Sequence, residues 1–314
     1  MIDSRAGKCY AVTEIQSKGA TCMWSKIVAF FMSIIAFFSS LFGGGGGNKP
    51  TANYKEYLNQ SYGADSRQTY DLYIPTEKGG TLGLILYIHG GAWTSGDKSS
   101  YQQTIRDVAA NYGYAAASIN YRFLSGSVTM ADILADVNAA VNAIYDRAKA
   151  DGYTLNKMIT AGMSAGAHLA LMYAYHTPAD AKIRPVAVCS QCAPTDLSDP
   201  NFYAEGMTFQ NNYQQVVAAV VGQNVTNEMI AQYAAQYSPV SYVSTAVPTV
   251  IAHGQKDNVV PYSNAVTLDS ALTANGVTHL FITFPNSGHG LDNDADCADR
   301  FYRAFVEYAA TYLN

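Results

Sequence analysis

The chain of 314 residues is 49% hydrophobic and only 14% charged, which supplies a substantial core and argues against disorder over most of its length. Its formal net charge of −5 is unevenly held, because residues 1–49 carry Arg5, Lys8, Lys18, Lys26 and Lys49 against only Asp3 and Glu14. The remaining body is therefore acidic and has no basic stripe, which excludes nucleic acid as an expected partner, and five cysteines in a chain of this size make no disulfide framework.

Residues 1–26 read as an N-terminal extension in which Met23 offers a second start, since MWSKIVAFF is a short basic run leading into an apolar one. Residues 27–42, IVAFFMSIIAFFSSLF, carry no charge. As a helix they would span about 24 Å, short of the roughly 30 Å hydrocarbon layer, a length that fits a signal-peptide core or a minimal anchor. Either reading sets the following domain outside the cytoplasm, secreted or anchored, with membrane contact only through this segment. The glycines of residues 43–51 predict a flexible linker, and the folded domain is expected over 52–314.

From residue 66 short apolar runs alternate with longer helical ones, the pattern of a mostly parallel sheet covered on both faces. RQTYDLYIP (67–75) alternates as an antiparallel strand does, and LGLILYIH (82–89) is nearly continuous in apolar residues, as a central strand should be. A helix over 101–111 and a strand at YAAASINY (114–121) follow. Residues 130–150 place Ile133, Leu134, Val137, Val141 and Ile144 at helical spacing with Asp132, Asp136 and Asp146 on other faces, predicting an amphipathic crossover helix.

KMITAG (157–162) predicts a short strand, AGAHLALMYAYH (165–176) the helix after it, and RPVAVCS (184–190) another strand. Residues 196–247 show no strand rhythm but two helical runs, YQQVVAAVVG and NEMIAQYAAQY, and read as an insertion over one end of the sheet. PTVIAHG (248–254) and HLFITFP (279–285) are strands. A last helix over 299–313 spaces Phe301, Phe305, Tyr308 and Tyr312 to pack along the sheet.

Gly162-Met163-Ser164-Ala165-Gly166 matches G-x-S-x-G at a predicted strand-to-helix turn, where glycines tolerate a crowded backbone that lifts the serine hydroxyl clear of the sheet. A serine hydroxyl is a weak nucleophile near neutral pH and needs a base, itself oriented by a carboxylate. Asp257, in HGQKDNVVP, and His289, in PNSGHGLD, follow in the order Ser, Asp, His, each in a loop leaving the carboxyl end of a predicted parallel strand. Asp292 and Asp294 compete with Asp257 as the partner of His289, but their place after the histidine breaks the chain order.

HGGAW (89–93) follows the central strand, and Gly91, Ala92 and Ala165 are assigned as backbone donors of an oxyanion hole, with Gly90 shaping the turn. Trp93, Tyr101 and Tyr121 are candidate walls of the substrate pocket. The other histidines read structurally: His89 and His253 end strands and bond loops, His168 packs, and His176 and His279 face solvent. Cys189 and Cys192 in CSQC lack the second pair or the nearby histidines of a zinc site and read as buried thiols. No metal and no cofactor are expected.

Together LYIHGGAWTSGDKSSY, INYR, GMSAGAHLA, YSPVSYV, PTVIAHGQKDNVVP and SGHG resemble the α/β-hydrolase superfamily, in its esterase/lipase group with an HGG-type oxyanion loop, from about Tyr54 to the C-terminus. The chain departs from many lipases in having Ala92 where a third glycine is usual, a substitution familiar in carbohydrate-acyl esterases. The resemblance implies an α/β-hydrolase fold, with a mostly parallel central sheet, helices on both faces and a small helical insertion after the sixth strand. It also implies a serine carboxylesterase that works through an acyl-enzyme on a small-molecule or polysaccharide-linked ester, carbohydrate acetyl or feruloyl esters among them. Two other readings share the fold: a prolyl-oligopeptidase-like serine peptidase and a non-catalytic, surface-tethered binding module.

Overall fold

A computed structural model describes residues 53–77 and 79–314. The predicted extension, apolar segment and linker, with the alternative start at Met23, lie outside the described residues. Among the described residues no helix is long and apolar enough to cross a membrane.

The apolar run predicted over 82–89 forms β3 (Thr81–Ile88) inside an eight-stranded sheet, where its two faces are covered by different helices. Leu84, Leu86 and Ile88 point to one face and Ile85 and Tyr87 to the other, as the two-residue period of a strand requires. The strands are β1 (Tyr54–Ser61), β2 (Thr69–Pro75), β3, β4 (Ala115–Ile119), β5 (Thr154–Met163), β6 (Pro185–Gln191), β7 (Thr249–Gly254) and β8 (His279–Phe284). They lie in the order β1-β2-β4-β3-β5-β6-β7-β8. β2 runs antiparallel to both of its neighbours, and all pairs from β4 to β8 are parallel.

The helices are α1 (Gln102–Tyr112), α2 (Met130–Ala150), α3 (Ala165–Tyr175), α4 (Tyr213–Val221), α5 (Ile230–Ala234), α6 (Tyr262–Ala274) and α7 (Ala295–Tyr312). Buried residues of α1 and α7 join Ile85 and Tyr87 on one face, while those of α2, α3, α6 and the insertion join Leu84 and Leu86 on the other. α3 is buried on every side, which is why its sequence is apolar all round rather than striped. α2 begins with a capping box, the Thr129 side chain and that of Asp132 exchanging bonds with each other's backbone.

This is the α/β-hydrolase arrangement. Three features differ from the sequence reading. β1, an edge strand of partly exposed residues, and α6 have no predicted counterpart, and β1 brings to six the strands that precede the insertion. The second helical run of the insertion breaks into the short α5 flanked by 3-10 turns. Asp136, which helical spacing assigns to a polar face, is only 1% exposed and takes a two-oxygen grip from Arg122, with Nη2 at 2.7 Å from Oδ1 and Nε at 2.9 Å from Oδ2. A charge pair therefore occupies a position that periodicity alone gives to solvent.

Sheet register fixes where the loops of interest emerge. Met163 pairs with Gln191, Gln191 with Ala252 and Ala252 with Ile282. Ser164, Asp257 and His289 all follow this row, so the three loops leave the same edge of the sheet, as do the residues after β3.

Candidate active site

Ser164 sits between β5 and α3 with φ 56° and ψ −127°, a conformation that costs a non-glycine residue free energy and persists only where its surroundings enforce it. Its N–H donates to Gln191 O at 2.8 Å and its carbonyl accepts from His168 N at 3.0 Å, so both backbone groups are fixed. The flanking glycines are there for want of space. A Cβ on Gly166 would lie 2.0 Å from Ile88 O, and one on Gly162 would lie 2.6 Å from the same oxygen.

The His289 Nδ1–H donates to Asp257 Oδ2 at 2.7 Å, and both side chains are buried. The other carboxylate oxygen accepts from Val259 N at 2.8 Å and Val260 N at 3.0 Å. Burial by itself raises the Asp257 pKa, but His289 and His253 more than offset this and hold the carboxyl well below the usual range, so it is ionised. Asp294 instead accepts from Asn286 N at 2.9 Å and Ser287 Oγ at 2.6 Å, closing the loop that carries His289.

Peptide planarity orients the candidate oxyanion donors. In a trans peptide the C=O and the following N–H point in opposite directions. Gly90 O accepts from His89 Nδ1 at 2.7 Å, Gly91 O accepts from Thr94 N and Ser95 N at 3.0 Å each, and Ser164 O is held by His168 N. The N–H groups of Gly91, Ala92 and Ala165 are thereby turned away from these internal bonds. Ala165 also opens α3, where first-turn amides have no acceptor within the helix. Gly91, Ala92 and Trp93 all have positive φ (114°, 51° and 60°), so two residues with side chains share a loop conformation that favours glycine.

Behind this loop stands a polar brace. His89 is stacked on Tyr121 with ring centroids 4.4 Å apart, and the Tyr121 hydroxyl donates to His89 O at 2.9 Å. Arg67 Nη2 donates to Gly96 O at 3.0 Å and lies 3.2 Å from His89 Nε2. Because Nδ1 faces a carbonyl and Nε2 faces a guanidinium, His89 carries its proton on Nδ1 and accepts at Nε2. Burial, helped by the Arg67 charge, lowers its pKa to about 4, which keeps the ring neutral.

The three residues proposed as pocket walls part company. Trp93 lines a cavity that reaches Ser164, Ala92 and Ala165. Tyr121 is fully buried behind the oxyanion loop, and Tyr101 stacks on Tyr87 at 4.9 Å while its hydroxyl meets the Met163 backbone beneath the serine turn. Both tyrosines therefore support the site from below and do not line that cavity. A larger, mostly apolar cavity of ≈ 740 Å³ lies between α1 and α7 on the other side of the sheet, and none of Ser164, Asp257 and His289 lines it.

Two histidines do more than the sequence suggested. His168 accepts from Trp93 Nε1 at 3.2 Å through Nδ1 and donates through Nε2 to Tyr237 O at 2.7 Å, so it joins the oxyanion loop, α3 and the insertion. Burial lowers its pKa to about 4. His253 Nε2–H is shared between Val260 O at 3.1 Å and Asp257 Oδ2 at 3.2 Å. The signal for it is the spacing His253-x-x-x-Asp257, which becomes informative only once the turn is known.

Cys192, His253 and Asp257 bring a thiol, an imidazole and a carboxylate within 4.8 Å of one another, donor types that suit zinc. Burial first, then the Asp257 charge, pushes the Cys192 thiol well above its ordinary range, so it stands as a neutral S–H group beside the carboxylate rather than as a thiolate ligand. Cys189 and Cys192 are buried and free.

The model of the BD-FAE family matches residues 70–272. Esterase LipQ of Mycobacterium tuberculosis is 26% identical over 222 residues, covering 69% of this chain and 52% of LipQ. The isoprenylcysteine alpha-carbonyl methylesterase ICME of Arabidopsis thaliana is 25% identical over 238 residues, covering 73% of this chain and 55% of ICME. The chain thus spans about half the length of these curated relatives. Among solved structures, a truncated carbohydrate esterase from gut microbiota superposes with a TM-score of 0.68 at 21% identity, over 83% of this chain and 97% of that one, a likeness of fold.

Proposed function

The chain belongs to the BD-FAE family, and from that premise we propose that it is a carboxylic ester hydrolase that works through an acyl-enzyme on Ser164. Supporting relatives carry esterase names. The observation that carries the reading is the 2.7 Å bond from His289 to a buried, ionised Asp257, leaving the same sheet edge as a serine held at positive φ.

In this reading His289 Nε2 takes the Ser164 hydroxyl proton as the oxygen attacks the ester carbonyl, and Asp257 stabilises the resulting imidazolium. Negative charge gathers on the carbonyl oxygen, where the N–H groups of Gly91, Ala92 and Ala165 stabilise it. Each such donor contributes a factor on the order of 10²–10³ in kcat. The imidazolium then protonates the leaving alkoxide. Water activated by the same ring attacks the acyl-enzyme, and the acid leaves as Ser164 recovers its proton.

For substrate we propose a carbohydrate-linked acetyl or feruloyl ester. The gut-microbiota structure is named a carbohydrate esterase, and the departure at Ala92 is of the carbohydrate-acyl kind. We further propose that residues 27–42 deliver the domain out of the cytoplasm; a mature protein recovered intact from the cytosolic fraction would overturn this.

The test is a panel of acetylated, feruloylated and long-chain esters with Ser164→Ala as blank, run beside aminoacyl-proline amides. Ester turnover abolished in the blank is expected. Amide cleavage without ester turnover would transfer the site to peptidase chemistry, and neither activity nor labelling by a serine-directed phosphonate would leave a binding module.

A further inference from the structure

Resting on the ester-hydrolase reading, we infer that His168 is a positioning residue for the oxyanion hole. Through the Trp93 indole it holds the N–H groups of Gly91 and Ala92 in register with the N–H of Ala165.

The hole is assembled from two segments far apart in sequence. Gly91 and Ala92 come from the loop after β3, whereas Ala165 opens α3. A group displaced by about 1 Å can cost a factor on the order of 10² in rate, so the spacing between the segments must be fixed. Gly91, Ala92 and Trp93 run at φ 114°, 51° and 60°, a conformation that persists only where its surroundings over-determine it. Backbone bonds brace the loop internally and to the segment after β4: Gly91 O accepts from Thr94 N and Ser95 N at 3.0 Å each, and Trp93 O accepts from Leu124 N at 2.9 Å. The bond that crosses to α3 runs from Trp93 Nε1–H to His168 Nδ1 at 3.2 Å, with the rings edge to face and their centroids 5.2 Å apart.

His168 accepts there because of what its other nitrogen meets. Nε2 lies 2.7 Å from Tyr237 O. A carbonyl only accepts, so the ring proton sits on Nε2 and Nδ1 presents its lone pair to the indole. The same residue donates its backbone N–H to Ser164 O at 3.0 Å. Tyr237 ends a 3-10 turn of the insertion. The next residue, Ser238, accepts from Leu197 N at 2.9 Å and donates to Ala234 O at 3.0 Å, so the carbonyl that sets the tautomer is itself held. His168 is wholly buried and Trp93 nearly so, which keeps bulk water from either bond.

Side-chain geometry separates this role from packing. Asparagine carries its carbonyl oxygen on Cγ, where histidine has Nδ1, so it can accept from Trp93 but falls short of Tyr237. Glutamine carries its amide nitrogen one bond further out, near the place of Nε2, so it can donate to Tyr237 but offers no acceptor at the Nδ1 position.

The experiment measures kcat and KM of the full chain on 4-nitrophenyl acetate, with competent sites counted by the extent of phosphonate labelling. It also measures inhibition by an alkyl trifluoromethyl ketone, which forms a tetrahedral oxyanion adduct with a serine. His168→Gln and Trp93→Phe should each lower kcat per labelled site about 10-fold or more with little change in KM, and weaken the ketone by the same factor. His168→Asn should keep most of the wild-type kcat. Combining Trp93→Phe with His168→Gln should lose no more than the worse single change, because both break one bond. An unchanged kcat per labelled site in Trp93→Phe and His168→Gln overturns the inference. So do losses that multiply in the double variant, losses confined to KM, or a His168→Asn enzyme as slow as His168→Gln. If the His168 variants do not fold, Trp93→Phe, which keeps an aromatic ring in place, decides through kcat and the ketone. Absence of both labelling and turnover in the wild-type chain would instead remove the ester-hydrolase reading, and this inference with it.

Discussion

His253 Nε2 lies 3.2 Å from Asp257 Oδ2, the same oxygen that holds His289 at 2.7 Å. One carboxylate oxygen thus receives two imidazole donors, and the shorter bond goes to His289. Since His253 also donates to Val260 O, it fixes the Asp257 turn against the end of β7. On the proposed ester-hydrolase reading it is a positioning residue whose effect would reach the reaction only through the carboxylate.

Replacing it should therefore weaken catalysis without abolishing it. His253→Gln is expected to lower kcat about 10-fold with little change in KM, whereas Asp257→Asn, which leaves His289 without an anionic partner, should lose about 10³–10⁴-fold. The kcat-against-KM split is the measurement. A full-rate His253→Gln enzyme would reduce the second bond to packing.

Stability should depend on pH through two other histidines. His89 and His168 are buried and neutral, with pKa lowered to about 4 from the ordinary 6.5 mainly by burial. Between those values the unfolded chain binds protons that the folded chain does not, so stability falls as pH drops from about 6.5 towards 4 and is flat above 7. The full loss is up to about 3 kcal/mol for each ring. Denaturant midpoints at pH 7.5, 5.5 and 4.5 check this, and His168→Gln should flatten the slope even if it lowers stability at neutral pH.

Much of this protein is legible in its sequence because the relevant signals are short-range. The apolar run of β3 and the striped pattern of α2 state their own burial, and the HGGAW and GMSAG turns state theirs through glycine. What periodicity could not show are groups whose environment comes from distant segments. Asp136 reads as a surface acid until Arg122 is folded onto it, and Tyr121 reads as a pocket wall until its ring is seen stacked on His89. β1, whose residues are half-buried or exposed on an edge, carries too weak an alternation to be recognised as a strand. His253 differs again, since its partner lies four residues away but only the tight turn after β7 brings the two together.

A buried ion pair tests how firmly the oxyanion loop is anchored. Lys98 Nζ meets Asp71 Oδ1 at 2.8 Å and Asn59 Oδ1 at 2.7 Å, with both charged side chains nearly inaccessible. Its backbone N–H donates to Asn120 Oδ1 at 2.7 Å, which ties the loop after Trp93 to β1, β2 and the end of β4. Lys98→Met strands the Asp71 charge and should cost about 3–5 kcal/mol, while Lys98→Met with Asp71→Leu should recover part of the loss. Chemical denaturation of both variants gives the comparison; additive losses would show that the charges are not coupled.

The serine turn depends most narrowly on Gly166. A methyl group there would lie 2.0 Å from Ile88 O and 2.7 Å from His89 O, so Gly166→Ala must push α3 away from the end of β3. Those two carbonyls open the oxyanion loop, and α3 carries both Ala165 N–H and the His168 bond that fixes the Ser164 carbonyl. The displacement would separate the Ala165 N–H from those of Gly91 and Ala92, the proposed oxyanion donors, as well as break packing, and backbone cannot rotate aside as a side chain can. Gly166→Ala is expected to lose more than about 4 kcal/mol, a large share of the stability of a typical domain. Gly126→Ala, whose added methyl meets nothing within 4 Å, should change the unfolding midpoint little. If instead Gly166→Ala folds with normal stability and phosphonate labelling, the contact between α3 and the end of β3 is looser than these distances imply, and the glycine's place in the motif would need another cause.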